Sequence, residues 1–321
     1  RFDPGNQRIK TTRQFSVWEG GGEYNVIRGL RKCFGMNTSI LTSIPRNNVG
    51  YLLYDLICQG SVDCSHIKWV PYDGIGLKYR QGLNFVERGF GIRGSKGVSD
   101  RAHTAASSLA PGDFNCNKIF HQEGARWFHS GGIFAALSDT SAELLIDTLQ
   151  SARSEGTIIS FDLNYRSSLW KNRGGSEAAQ KLYNTIIPFV DVLIGNEEDF
   201  TQCLGFQVES GQNSSYTNLS TDSYEKRVRK VVRNFPNLKA VATTLREVKT
   251  SLINGWGVIL FVDDQFYTSR FWDNLDIYDR VGGGDSFASG LIYGFLSGKD
   301  PQDCVNYGAA HGALAMTTPG N

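Results

Sequence analysis

The feature of this sequence best suited to chemistry is a single carboxylate behind three consecutive glycines, Gly282-Gly283-Gly284-Asp285. Glycines in a row destabilise a helix, but they let the backbone turn tightly and aim successive N–H groups at one point. Residues 286–295 alternate small and large apolar groups at helical spacing, so the glycines open a helix whose N-terminal dipole adds to the attraction for an anion. A carboxylate there would repel a resting phosphate. It is nevertheless well placed to take the proton of a hydroxyl that attacks a phosphoryl group held by the glycine amides. The alternative is a glycine-rich structural turn with Asp285 as an ordinary first-turn residue.

Other polar clusters fall where strands should end. Residues 157–161 read as a buried strand that runs into Asp162-Leu163-Asn164-Tyr165-Arg166, and residues 190–194 read as another that runs into Asn196-Glu197-Glu198-Asp199. Ligands of α/β sheets gather at the carboxyl ends of strands, which makes both clusters site candidates. Clustered carboxylates beside a phosphate site suit Mg²⁺, which prefers oxygen ligands and retains waters, although acidic residues also open helices without any metal. Near the start, Gly20-Gly21-Gly22 precedes a short helix with Val26, Leu30 and Phe34 on one stripe and Gly35 as its C-cap.

The elements that must position these residues alternate along the chain. A strand over 38–44 and a helix over 47–59 come first, and the glycine-rich alternation of 76–99 suits strands with one wet face. Then follow a strand ending near Gly131, helices over 138–155 and 175–187, a basic helix over 223–234 and a strand over 239–243. An antiparallel pair over 258–262 and 266–271 leads toward the Gly282–Asp285 segment, and a small apolar helix over 302–316 closes the sequence. Residues 211–221 read as an exposed polar excursion, and His129, near a strand end with no partner in view, as core or loop structure.

Composition sets the outer limits. The 321 residues are 40% hydrophobic, enough to bury a full core, and 33 Lys and Arg against 32 Asp and Glu leave a net charge of +1. No global field attracts nucleic acid or a membrane surface, so anion recognition must be local. Six cysteines without CxxC spacing imply free thiols in a reducing, cytoplasmic setting, and the Asn-x-Ser/Thr triplets at Asn37, Asn213 and Asn218 are then chance matches. No apolar run reaches the length of a membrane span. A dinucleotide oxidoreductase is disfavoured, because the glycine motif is late and lacks GxGxxG spacing after a first strand.

Two of these segments carry a family resemblance. Gly282-Gly283-Gly284-Asp285 and its helix resemble the carboxy-terminal signature of the ribokinase-like (PfkB) sugar kinases, and residues 20–35 resemble their amino-terminal signature. Asp279-Arg280-Val281, Asp162-Leu163-Asn164-Tyr165-Arg166 and Leu245-Arg246-Glu247 resemble 2-dehydro-3-deoxygluconate (KDG) kinases more specifically. The resemblance implies an α/β fold, a ribokinase-like three-layer α/β/α sandwich with a small β lid. It further implies one domain over 1–321 with lid strands at about 6–19 and 76–99, a first strand and a carboxy-terminal end missing from the sequence, and self-association as a homodimer through the lid.

By the same resemblance Asp285 is the general base, and the Gly282, Gly283 and Gly284 amides form the anion hole. Gly21, Gly22 and Asn25 line the sugar pocket, while Arg101 and Arg166 meet the substrate carboxylate. Asn84 and Ser99 stand where the family usually has tyrosines, which makes that wall smaller and more polar. Asn164, Asn196 and Arg246 approach the ATP phosphates, and Asn306 and Ala310 lie near the adenine. Glu197, Glu198 and Asp199 order Mg²⁺ through water. The implied activity is ATP-dependent phosphorylation of a small sugar acid, KDG at its C6 hydroxyl. A kinase for a neutral hexose, a nucleoside or another keto-deoxy acid, and a non-catalytic regulator that keeps the sugar and nucleotide pocket, stay open as alternatives.

Overall fold

Residues 1–206 and 221–320 are described by a computed structural model, without the side chains of Glu197 and of residues 221–223. The excursion at 211–220, with Asn213 and Asn218, and the final Asn321 lie outside the described residues.

The chain opens on β1 (Phe2–Asp3) and β2 (Ser16–Val17), then α1 (Gly22–Phe34), β3 (Thr42–Pro45), α2 (Asn48–Gln59), β4 (Ile67–Val70), β5 (Leu83–Glu87) and β6 (Lys96–Asp100). Next come β7 (Trp127–Gly131), α3 (Gly132–Ala135), α4 (Asp139–Ser154), β8 (Ile158–Asp162), α5 (Ser167–Trp170), α6 (Gly175–Ile186), β9 (Val192–Gly195), α7 (Glu197–Leu204) and α8 (Thr221–Asn234). The last part holds β10 (Ala240–Val248), β11 (Ile253–Val262), β12 (Gln265–Thr268), β13 (Trp272–Asp276), α9 (Gly283–Leu296) and α10 (Pro301–Ala315). These fall into two compact units, one of Arg1–Phe114, Val248–Trp256 and Arg270–Asn321, the other of Asn115–Glu247 and Gly257–Ser269.

The second unit is organised by the strand order β12-β11-β10-β9-β8-β7. Strands β7 to β10 are parallel, with Ala240 opposite Val192 and Phe161 opposite Leu193. Parallel strands covered on both faces read as unbroken apolar runs, and β9 is buried at every residue. Helix α4 starts on a capping box, Ser138 accepting the Ser141 N–H and Ser141 returning the bond to Ser138, a device that contributes ~1 kcal/mol. At the end of β7, Gly132 has no room for a side chain, since a Cβ would lie 2.1 Å from both Leu163 O and Tyr183 Oη. Gly132→Ala is therefore expected to lower unfolding free energy by about 1–3 kcal/mol, read as a lower denaturant midpoint at unchanged slope.

His129 in β7 accepts or donates at Nδ1 to Ser160 Oγ at 2.8 Å, and Trp127 Nε1 donates to the same hydroxyl. Its accessible surface is intermediate, but the ring is packed in protein, and burial pushes its pKa from 6.5 down to about 4. The neutral ring agrees with a core histidine. An unfolded chain takes up this proton near 6.5 while the folded one waits until about 4, so the stability that the neutral ring maintains is full above the upper value and lost as pH falls toward the lower. In His129→Gln the urea midpoint should fall less steeply over that window than in the wild type.

The first unit carries a small sheet of order β2-β1-β5-β6. Asn84 is registered opposite Ser99, and Phe2 opposite Phe85, on which its ring stacks at 4.9 Å. This corrects the expected boundaries. The polar opening carries a strand of its own because Phe2 anchors it, whereas much of 6–15 is held in turns, with Thr11 and Thr12 N–H on Arg8 O and Ile9 N–H on Glu87. Residues 73–78 likewise wrap Asp73, whose carboxylate takes the N–H groups of Ile75, Gly76 and Lys78.

The same unit holds β3 and β4 as a parallel pair, and β13 antiparallel to the start of β11. Asn47 caps α2 by accepting the Gly50 N–H. Helices α9 and α10 cross through glycines, a Cβ at Gly290 falling 2.5 Å from Tyr307 O and one at Gly294 2.8 Å from Cys304 Cα. Large residues there would force the helices apart, which explains the run of small residues in both.

Candidate active site

In the first unit the three glycines and Asp285 form the start of α9. Gly282 is its N-cap, in the left-handed region at φ 84°, and no side chain caps this end. A helix leaves its first N–H groups without intrahelical partners, and an uncapped glycine end suits an anion; here the Gly283 N–H is turned back to Arg280 O at 3.4 Å. A Cβ at Gly284 would meet nothing within 4 Å, whereas one at Gly283 would strike Met316. Gly284 is thus small with open space before it, as close approach of a ligand to backbone requires. The half-buried Asp285 accepts a 2.7 Å hydrogen bond at Oδ2 from Asn25 Nδ2.

Asn25 belongs to the first turn of α1, whose N-cap Gly21 sits at φ 130° and ψ 133°, a conformation that a side chain disfavours. Asn25 is thereby brought against Asp285, so the two glycine segments share one end of the α1–α9 pair. Asn84 and Ser99 form a cross-strand hydrogen bond, Ser99 Oγ donating to Asn84 Oδ1 at 2.9 Å. Arg101, half-buried, directly follows β6. Asn306, exposed on α10, accepts from Gln302, and Ala310 lies one turn on.

In the second unit Asn164 follows β8 at φ 38°, its N–H held by Asp162. Arg166 is exposed and donates to Tyr165 O. Asn196 caps α7 in a reciprocal box with Asp199. The Asp199 carboxylate is 4% exposed, and its two oxygens accept the Tyr165 and Asn196 N–H groups. Desolvation raises its pKa, with those N–H bonds and Arg166 acting in the opposite direction. Asp199 therefore ties the 162–166 loop to α7, while Glu198 is exposed. The side chain of Glu197 lies outside the described residues. Arg246, expected just beyond a strand, stands instead inside β10 as an exposed residue, because that strand continues to Val248.

Among the described residues there is no group of three or more His, Cys, Asp and Glu side chains that could hold a metal ion. Among them, too, no helix is long and apolar enough to cross a membrane.

The family model of the pfkB family carbohydrate kinases matches residues 2–321. The chain belongs to that family. A crystal structure of 2-dehydro-3-deoxygluconokinase from Thermotoga maritima is 37% identical with a TM-score of 0.89, covering 99% of this chain and 90% of that one. A 2-dehydro-3-deoxygalactonokinase of Haloferax volcanii is 26% identical over 98% of this chain and 90% of its own length. A 5-dehydro-2-deoxygluconokinase of Geobacillus thermodenitrificans is 24% identical over 97% and 82%. This PfkB protein is thus a sugar kinase, a phosphotransferase, with the ribokinase-like α/β/α sandwich and small β-sheet lid that its sequence led one to expect.

What the sequence reading missed is the contact between Asn25 and Asp285. The signal was available only as two glycine segments far apart in the chain.

Proposed function

We propose that this kinase transfers the γ-phosphoryl group of Mg-ATP to the C6 hydroxyl of 2-dehydro-3-deoxy-D-gluconate. The observation that carries the reading is the uncapped glycine start of α9 with Asp285 in its first turn. Asp285 accepts the proton of the attacking hydroxyl, and the Gly282, Gly283 and Gly284 segment stabilises the charge on the transferred group. Gly21, Gly22 and Asn25 contact the sugar, and Arg101 grips its carboxylate with a planar fork. Arg166 serves the carboxylate or the transferred phosphoryl group; Asn164, Asn196 and Arg246 serve the triphosphate; Asn306 and Ala310 lie toward the adenine. Bound Mg²⁺ would neutralise triphosphate charge, with Glu198 acting through water.

Similarity to the Thermotoga maritima enzyme supports the sugar-acid substrate. A close relative of KDG is the second reading, favoured by the hydrogen-bonded Asn84 and Ser99, which suit an additional hydroxyl, and by the names of the two curated relatives. The six free cysteines support a cytoplasmic setting. Exposed Phe90, Ile92 and Val98 on and beside the small sheet support a homodimer through the lid. The test is catalytic efficiency with ATP on KDG, its C4 epimer, 5-dehydro-2-deoxygluconate, fructose and ribose. KDG should lead; preference for another keto-deoxy acid would select the second reading.

A further inference from the structure

Helices α1 and α9 run in the same direction in matched register. Asn25 meets Asp285 at 2.7 Å. One turn on in both helices, a Cβ at Gly29 would fall 2.7 Å from Ser289 Oγ. Farther along, Phe34 stacks on Tyr293 with ring centroids 4.3 Å apart. Ser289 is itself fixed, since its hydroxyl contacts His311 Nδ1 at 2.7 Å and donates to Ser286 O at 2.9 Å. The glycine at position 29 allows the two helices this close an approach, and the approach brings the Asn25 amide onto the carboxylate.

Asn25 is 7% exposed, and its Oδ1 is buried without a hydrogen-bond partner among the described residues. The amide thus commits a donor to Asp285. We propose that Asn25 is the positioning residue of the general base, its N–H pinning Oδ2 of Asp285 so that Oδ1 receives the proton. In that step the acceptor oxygen bonds to the γ-phosphorus and gives its proton to Asp285 Oδ1. The bond from phosphorus to the bridging oxygen breaks, and its electron pair leaves on ADP. The inference rests on the reading of Asp285 as the base of a kinase.

Asn25→Leu tests it, because leucine keeps roughly the volume of asparagine and removes the donor to Asp285 without adding a charge beside it. At saturating substrates kcat should fall about 10- to 100-fold, a loss in kcat itself beyond the rise in KM that loss of a sugar contact would give. Unchanged kcat, or a raised KM alone, overturns the inference and leaves Asn25 a substrate contact only. If Asn25→Leu does not fold, Asn25→Ala replaces it, with the same fall in saturating kcat expected and the same outcome decisive against. Asp285→Asn is measured alongside. Full activity of Asp285→Asn overturns the reading of the base itself, whereas an inactive Asp285→Asn beside a fully active Asn25 variant overturns only the positioning role.

Discussion

Asp285→Asn is expected to lower phosphoryl transfer by about two to four orders of magnitude while the protein keeps its fold and most of its affinity for ATP. Asparagine has the size of aspartate, and its carbonyl can still accept the bond from Asn25 Nδ2, so the helix pair is not disturbed. What it lacks is a basic oxygen, which the proposed mechanism needs to take a proton as the sugar hydroxyl attacks. The Gly282, Gly283 and Gly284 backbone is untouched, and so is its attraction for anionic phosphate. A fall in kcat with nearly constant ATP affinity separates loss of the base from loss of the site. Turnover is measured with the best sugar acid, and nucleotide affinity by calorimetry. Near-normal turnover in the folded variant would remove Asp285 from the mechanism.

Arg101→Lys is expected to reduce catalytic efficiency on a keto-deoxy acid by about tenfold to a hundredfold, with little change on fructose or ribose. Lysine keeps the positive charge but not the fork that holds two carboxylate oxygens at once, and a charge-assisted pair is worth more than a neutral hydrogen bond. The residue follows β6, whose register with β5 also sets the Asn84–Ser99 pair. A neutral sugar carries no carboxylate and would leave the guanidinium without that partner. Wild-type enzyme should accordingly prefer the acids. Should a neutral sugar lead, and the variant be indifferent to substrate charge, the protein would remain a PfkB kinase and the sugar-acid assignment would be wrong.

Much of the architecture was legible because it is written in short-range interactions. Asn47 and Ser138 cap helices whose starts fall one residue beyond each, and capping depends on groups within one turn. The strands before 162 and 195 were visible as apolar runs, and their polar ends as site candidates. The small sheet was harder. Its alternation was plain, but β1 owes its place to Phe2 stacking on Phe85, far along the chain, and no local pattern announces such a partner. Asp199 shows a second limit. As a member of an acidic cluster it looked like a metal-side group, yet its carboxylate is turned inward onto the backbone of Tyr165 and Asn196.

By itself the sequence determined that a glycine-led helix end carries one carboxylate, that a second glycine turn opens another helix, and that no global charge draws in a polymer. Each is a property of residues within a few positions of one another, where propensity, dipole and spacing act. Only the tertiary structure decided that Asn25 and Asp285, 260 residues apart, meet. That contact is set by how closely two helices can pack at Gly29 and Ser289, and packing distance depends on both surfaces at once, which neither segment encodes alone.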